Sequence, residues 1–141
     1  MIELPEKVAV IGLGYVGLPL ALAISEHFEV LGFDISKSRI NQLKSGNDET
    51  NEIPYKKLSL LNNITLTSNP SVLRKADWFI VTVPTPIDSA NNPDMTSLRE
   101  VCKMIGNYIS SGSMVIFEST VYPGVSRTIC APIIEAMSDL R

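Results

Sequence analysis

Residues 8–34 read VAVIGLGYVGLPLALAISEHFEVLGFD, and this stretch decides the fold. Residues 8–11 form a continuous apolar run, which is typical of a strand buried on both faces. A Gly-x-Gly-x-x-Gly turn at 12–17 follows directly, and a helical pattern continues from it. A second strand over 29–33 then ends at Asp34, 22 residues after the first glycine. Strand, glycine turn, helix, strand and acid together predict a dinucleotide-binding unit.

Each glycine of that turn has its own physical reason. Gly12 lets the backbone leave the strand, Gly14 leaves room for a pyrophosphate against the backbone, and Gly17 lets the helix pack closely on the strand. The helix start offers free N–H groups and a positive dipole end to phosphates. The carboxylate of Asp34 is placed to accept hydrogen bonds from both hydroxyls of an adenosine ribose. Because glycines also form ordinary turns, the prediction depends on the strands, helix and acid around them.

Composition excludes several classes of protein. The chain has 141 residues, of which 45% are hydrophobic and 19% charged, and this is typical of one globular domain. Its net charge of −3 argues against a nucleic-acid-binding surface. The uncharged run 8–24 is shorter than the ~20 residues of a membrane span, and no basic leader precedes it. We therefore expect a cytoplasmic protein, with Cys102 and Cys130 as reduced core residues that show no metal-ligand spacing.

Further apolar runs alternate with helical patterns after Asp34. This alternation predicts an α/β fold with a doubly wound parallel sheet, the Rossmann fold, in strand order 3-2-1-4-5. In the last helix, Val125, Ile129 and Ile133 are expected to face inward, and Pro132 to kink or shorten it. The remaining predicted strands are 64–68, 78–83 and 114–118. Besides the last helix, the predicted helices are 15–27, 36–44, a short helix from Pro54 and a helix capped by Asp94 or Thr96.

Three turns are expected to share one crevice. In this topology the strand order reverses between strands 1 and 4, and ligands bind there at the carboxyl ends of the strands. The turns 12–17, 84–86 and 119–124 follow strands 1, 4 and 5, so they face the same rim. Ordinary turn chemistry accounts for each of them singly, but less well for all three together.

Four stretches resemble the N-terminal NAD-binding domain of the UDP-glucose/GDP-mannose dehydrogenase family. They are KVAVIGLGYVGLPLA at 7–21, FDISKSRI at 33–40, FIVTVPTPID with NNPD within 79–94, and FESTVYPG at 117–124. Together they extend over almost the whole chain. Within the family, the last two look most like the bacterial UDP-N-acetylhexosamine (UDP-GlcNAc or UDP-GalNAc) 6-dehydrogenases of capsule and O-antigen synthesis.

The resemblance implies an oxidoreductase that oxidises the C6 alcohol of a UDP-sugar to a carboxylate with two NAD+, through a cysteine-bound intermediate. It implies no metal. Thr120, a hydroxyl at the carboxyl end of a strand beside the crevice, is implied to orient the hydrolytic water. The residues that the resemblance assigns to NAD are Gly12, Gly14, Tyr15 and Val16 at the pyrophosphate, Asp34 and Arg39 at the adenosine ribose, Val83, Pro84 and Thr85 towards the nicotinamide ribose, and Ser119 and Thr120 near the nicotinamide.

Parts of the family pattern are missing from this sequence. The nucleophilic cysteine of the family lies in a later GFGGxCxPKD-like stretch, which does not occur in these 141 residues. The central helix and the UDP-sugar domain are missing too. We therefore expect 1–141 to be the NAD-binding domain of a longer protein, truncated before a sixth strand and inactive alone. Because the predicted strand at 114–117 would then be an unguarded edge, we expect either a homodimer through that edge or a tail after Met137 that covers it.

Two other functions stay open on the sequence. A non-catalytic NAD-sensing module needs the glycine turn and the acid, but has no use for the other two turns. Another NAD(P)-dependent dehydrogenase of the hydroxyacid type would share the first stretch alone. Asp34 predicts NAD+ over NADP+ because it would repel a 2′-phosphate, although Lys37 and Arg39 could partly neutralise that phosphate. The sequence does not determine which UDP-sugar is used.

Overall fold

A computed structural model describes residues 2–51, 53, 63–119 and 123–140 of the chain. The described residues form a five-stranded parallel sheet in the order β3-β2-β1-β4-β5, so the predicted Rossmann topology is confirmed. The strands are β1 (Lys7–Ile11), β2 (Glu29–Phe33), β3 (Ile64–Thr67), β4 (Trp78–Val81) and β5 (Met114–Phe117).

The helices connect these strands across both faces of the sheet. The hydroxyl of Ser36 accepts from the N–H of Arg39 and caps the helix that follows. The prediction that Asp94 or Thr96 caps a later helix is wrong: Met95 stands at the N-cap without a side-chain cap bond, and Asp94, one residue earlier, accepts from the N–H of Thr96. The short helix predicted from Pro54 lies outside the described residues. The described helices are α1 (Gly17–Ser25), α2 (Lys37–Lys44), a 3-10 helix (Pro70–Lys75), α3 (Thr96–Tyr108), a π-turn (Ser126–Cys130) and α4 (Ala131–Ser138).

Alternate residues of the strands face two separate apolar cores. Val10 and Val30 pack beneath α1 and α2, in a cluster that includes Leu18 and Ile40. The opposite face, which includes Phe79, packs against the 3-10 helix, α3 and the last helical segment. Both faces of the central strands are therefore covered, which explains why those strands read as continuous apolar runs.

The last helical segment departs from the predicted pattern. Its buried residues are spaced by five and then four positions: Val125, Cys130 and Ile134. Ile129 and Ile133, which were expected on the inward face, are only partly buried beside that core. The π-turn is the cause. Its backbone hydrogen bond joins residues five positions apart, from the N–H of Ala131 to the carbonyl of Ser126, instead of the four of an α-helix. The extra residue moves the buried face along by one position. Pro132, which has no N–H to donate, follows at the start of α4.

The uncharged run at 8–24 is divided between β1, the glycine turn and most of α1. The longest described helix, α3, has 13 residues. None of the helices in the described part of the chain is both long enough and apolar enough to cross a membrane.

Candidate NAD site

The three glycines after β1 are required for three different reasons. Gly12 has φ +97°, a left-handed conformation that favours glycine. A Cβ on Gly17 would lie 1.6 Å from the carbonyl oxygen of Gly12 and 2.5 Å from Thr82 Oγ1, so the helix start packs directly on the turn. A Cβ on Gly14 would meet no protein atom within 4 Å. Gly14 therefore borders open space, as a backbone that a ligand approaches would.

A cavity of about 990 Å³ opens where the predicted turns meet. It lies at the carboxyl ends of the strands, at the reversal of strand order between β1 and β4. The turns 12–16 and 82–86 and Ser119 line it together, as predicted. Its volume is at the upper end of the roughly 300–1,000 Å³ of small-molecule sites, so it has room for an extended ligand.

Asp34 lies at the end of β2 and borders the cavity. Its Oδ2 accepts a hydrogen bond from the N–H of Leu13 at 2.9 Å, and its Oδ1 accepts one from the N–H of Ser36 at 2.9 Å. A carboxylate offers about four acceptor positions, so each oxygen keeps capacity for a ligand hydroxyl. Asp34 thus shapes the glycine turn as well as facing the position expected for a ribose.

Arg39 is not brought to the cavity. Its side chain turns behind the glycine turn, where Nε donates to the carbonyl oxygen of Leu13 at 2.8 Å and Nη2 donates to Asp48 Oδ1 at 2.9 Å. Burial by itself would raise the pKa of the Asp48 carboxyl, but hydrogen bonds from Thr50 and Arg39 outweigh it and hold that pKa below its usual value. The structure therefore joins Arg39 to a buried ion pair.

The turns after β4 and β5 form the other side of the cavity. Val83, Pro84, Thr85 and Ser119 all line it. The hydroxyl of Ser119 donates to the carbonyl oxygen of Val83 at 2.7 Å, which joins the ends of β4 and β5. Thr120, the residue predicted to orient water, lies outside the described residues.

Thr82 is a site residue that sequence reasoning missed. Its Oγ1 lies 2.6 Å from the carbonyl oxygen of Gly12 and 3.0 Å from that of Ile11, so its single hydroxyl hydrogen binds β4 to the glycine turn. The available signal was one hydroxyl directly after the apolar run WFIV, two residues before the Pro-Thr-Pro turn.

One flank of α3 was also missed. Leu98, Cys102 and Ile105 form the buried face of this helix, as expected for Cys102. A neighbouring flank of the same helix lines the cavity: Thr96, Ser97, Glu100, Val101 and Met104. Polar residues in the first turn of α3 were the signal that this end of the helix faces a site.

The set of residues fits a dinucleotide. The glycine turn presents backbone at a helix N-terminus, the acid follows at the ribose distance, and the walls are mainly apolar. The family described as "UDP-glucose/GDP-mannose dehydrogenase family, NAD binding domain" matches residues 6–141. The chain belongs to this family. It is an NAD-binding Rossmann domain, and the resemblance expected from the sequence is confirmed.

Individual relatives extend this assignment. The chain is 47% identical over 135 residues to Protein CapL of Staphylococcus aureus, and also 47% identical over 135 residues to the UDP-N-acetyl-D-glucosamine 6-dehydrogenase of Pseudomonas aeruginosa. Each match covers 96% of this chain and 32% of the relative, so the chain spans about a third of the length of these relatives. A solved ternary complex of GDP-mannose dehydrogenase from Pseudomonas aeruginosa superimposes with a TM-score of 0.88 at 26% identity, over 95% of this chain and 33% of that one.

Neither cysteine of this NAD-binding domain lines the cavity. Cys102 and Cys130 are fully buried free thiols, as predicted. Burial raises the pKa of both thiols, and the neighbouring Cys130 adds to the increase at Cys102. Both thiols therefore stay protonated and inert at neutral pH. Within the described ranges, no group of three or more His, Cys, Asp or Glu residues could hold a metal ion.

Proposed function

We propose that this domain serves a nucleotide-sugar 6-dehydrogenase that oxidises the C6 alcohol of a UDP-N-acetylhexosamine to a uronate with two NAD+. The observation that carries the proposal is that residues directly after β1, β4 and β5 line one cavity, whereas an NAD-sensing module would need only those after β1. The relative from Pseudomonas aeruginosa, a UDP-N-acetyl-D-glucosamine 6-dehydrogenase, supports the hexosamine. A hydroxyacid-type dehydrogenase is less favoured, because the family match extends over residues 6–141.

The residues of this chain would bind and orient the cofactor. The backbone of Gly12, Gly14, Tyr15 and Val16, at the N-terminus of α1, would hold the pyrophosphate, and Asp34 would accept the ribose hydroxyls. The exposed side chains of Tyr15 and Val16 would screen the pyrophosphate from water. The cofactor, when bound, supplies the hydride acceptor.

At the other end, Val83, Pro84, Thr85 and Ser119 would fix the nicotinamide and its ribose. We keep Thr120 as the residue that orients the hydrolytic water. Its support is its place in the chain directly after Ser119, which lines the cavity.

NAD+ binding is the first test of this function. Calorimetry on the 141-residue chain should give a saturable signal with NAD+ and a much weaker one with the Gly14→Ala variant, whose added methyl group would occupy the space of the pyrophosphate. Retained folding of that variant, checked by circular dichroism, is the control. A wild-type chain that gives no signal at millimolar NAD+ would contradict the assignment.

The substrate is tested on a longer polypeptide, in which this domain is followed by the regions that its relatives have beyond the matched third. NADH formation should be faster with UDP-N-acetylglucosamine or UDP-N-acetylgalactosamine than with UDP-glucose. A preference for UDP-glucose would contradict the hexosamine, while leaving the cofactor assignment in place.

The 141-residue chain alone should oxidise no UDP-sugar. Its two thiols are buried and protonated, so neither can form a thiohemiacetal with an aldehyde at C6. NADH production from UDP-N-acetylglucosamine or UDP-glucose by the purified chain would contradict this expectation. The same assay with Cys102→Ser and Cys130→Ser would show whether either thiol is responsible.

A role in the synthesis of capsular or other surface polysaccharide, in the cytoplasm, completes the proposal. The similarity to Protein CapL supports the first part. The free, unpaired state of Cys102 and Cys130 fits a reducing compartment and supports the second.

We propose a homodimer through β5 for the 141-residue chain. Its sequence MVIF carries no charge or proline, and a cavity of about 480 Å³ lies beside it, lined by Val115, Phe117 and residues of the last helical segment. Leu140 also lines that cavity, so the tail covers part of it. Sedimentation should give twice the monomer mass at high concentration, and a monomer at all concentrations would contradict the dimer.

A further inference from the structure

We propose that Arg39 is a positioning residue that fixes the glycine turn from behind, and that Asp48 anchors Arg39 in that place. The inference depends on the proposed function for its ligand, NAD+. It differs from the role that the family resemblance implied, in which Arg39 binds the adenosine ribose.

The main chain of Leu13 is held on both sides. Asp34 Oδ2 accepts from its N–H at 2.9 Å, and Arg39 Nε donates to its carbonyl oxygen at 2.8 Å. Leu13 lies between Gly12 and Gly14, so these two bonds fix the peptide planes on either side of it. Those planes direct the backbone N–H groups that would meet a pyrophosphate.

Asp48 keeps the guanidinium in this position. Its side chain is 1% exposed, and its Oδ1 accepts from Arg39 Nη2 at 2.9 Å. The same carboxylate accepts from the N–H and hydroxyl of Thr50 at 3.0 and 2.7 Å and from the N–H of Ile53 at 3.0 Å. Thr50, Ile53 and Arg39 therefore all donate to one buried carboxylate, and Arg39 links that carboxylate to the glycine turn.

The structure does not bring Arg39 to the cavity where the ribose is expected. Its residue is 9% exposed, and it does not border the cavity. A planar guanidinium binds two acceptors in fixed directions, whereas a lysine ammonium at this place would reach one of them at most. The value of the arrangement is preorganisation, because a turn that is already fixed loses less conformational entropy when a ligand binds.

The first experiment needs no ligand. Amide hydrogen exchange at residues 13–18 should be faster in Arg39→Lys and Asp48→Asn than in the wild type. It should be unchanged in the matched control Arg74→Lys, since Arg74 packs over the ring of Tyr108, outside the cavity lining. Unchanged exchange in both test variants would overturn the proposal, whether or not the chain binds NAD+.

The second experiment separates positioning from ribose contact with three ligands. Arg39→Lys and Asp48→Asn should weaken ADP and 2′,3′-dideoxy-ADP by the same factor, roughly tenfold, and leave adenosine unchanged. A loss confined to ADP would mean that Arg39 binds the ribose and would overturn the proposal. An equal loss for adenosine would indicate general destabilisation and would also overturn it.

Folding of the variants is checked by their thermal midpoints. If the two substitutions unfold the chain, Thr50→Val removes one hydrogen bond from Asp48 and should give the same pattern at smaller size. A wild-type chain that binds neither NAD+ nor ADP would contradict the proposed function, and the exchange experiment then decides the role of Arg39 by itself.

Discussion

The two sides of the NAD site are held by different means. In the glycine turn, three described side chains bind the main chain: Asp34 at the N–H of Leu13, Arg39 at its carbonyl, and Thr82 at the carbonyl of Gly12. Across the cavity, Ser119 binds the carbonyl of Val83. The first side therefore uses its side chains to shape the backbone, whereas the second presents side chains of its own to the cavity.

This difference fits the part of NAD+ that we propose for each side. A pyrophosphate is bound by backbone N–H groups, and those point correctly only when the peptide planes are fixed. A nicotinamide ring is recognised by the shape and polarity of a pocket, which side chains provide. Substitutions on one side or the other should therefore affect the free energy of unfolding and the NAD+ affinity in different proportions.

The largest effect is expected from Gly17→Ala. Its methyl group would overlap the carbonyl of Gly12, and this contact is with backbone that cannot move without opening the turn. We expect a loss of more than about 4 kcal/mol in the free energy of unfolding, with NAD+ binding abolished. Gly14→Ala is the matched control: its methyl group meets no protein atom, so stability should change by less than about 0.5 kcal/mol while affinity falls. Urea denaturation and calorimetry on both variants test this, and equal stability losses would contradict it.

The buried ion pair should give the next largest effect. Asp48→Ala removes the partner of a buried guanidinium, which costs about 3–5 kcal/mol at neutral pH. Because folding lowers the pKa of Asp48, its stabilisation is complete above the usual carboxyl pKa of 3.8 and is lost as the pH falls through the lower folded value. The difference in unfolding free energy between wild type and variant should therefore narrow below about pH 4. A difference that stays constant from pH 7 to pH 3 would contradict this account.

The same contrast separates what the sequence could predict from what it could not. Strands β1 and β2, the glycine turn between them and the place of Asp34 after β2 follow from apolar runs and fixed spacings within 27 consecutive residues, and the structure confirms these placements. The contact of Asp34 with a ribose stays a prediction. Thr82 lies 70 residues from the carbonyl it binds, and the direction of Arg39 depends on Asp48 in a separate loop. Rules based on the spacing of residues along a motif do not predict contacts of this kind. The π-turn was missed because the prediction that Val125, Ile129 and Ile133 face inward assumed a regular α-helical period. A hydrogen bond between residues five positions apart breaks that period.

Cofactor choice sharpens the comparison, because it depends on the first side alone. NAD+ should bind at least tenfold more tightly than NADP+, about 1.4 kcal/mol, since the charge of Asp34 would repel a 2′-phosphate. Arg39 is turned away and engaged with Asp48, so it cannot neutralise that phosphate, and Lys37 is the remaining cation of this segment that was expected to do so. Calorimetry with both cofactors measures the ratio, and Lys37→Gln should leave NAD+ affinity unchanged. Equal affinities for the two cofactors would refute the role of Asp34.

The smallest effects are expected from the two hydroxyls that join neighbouring turns. Thr82→Val keeps the shape of the side chain but leaves the carbonyl of Gly12 without this donor, so it should cost about 1 kcal/mol of stability and weaken NAD+ and ADP alike. Ser119→Ala removes the bond to Val83 on the other side, so it should cost a similar amount of stability but weaken NAD+ and leave ADP unchanged. ADP lacks the nicotinamide half, and calorimetry with both ligands therefore reports which side each hydroxyl supports. If both variants lose ADP affinity equally, the two sides are coupled through β4, and the division between them is wrong.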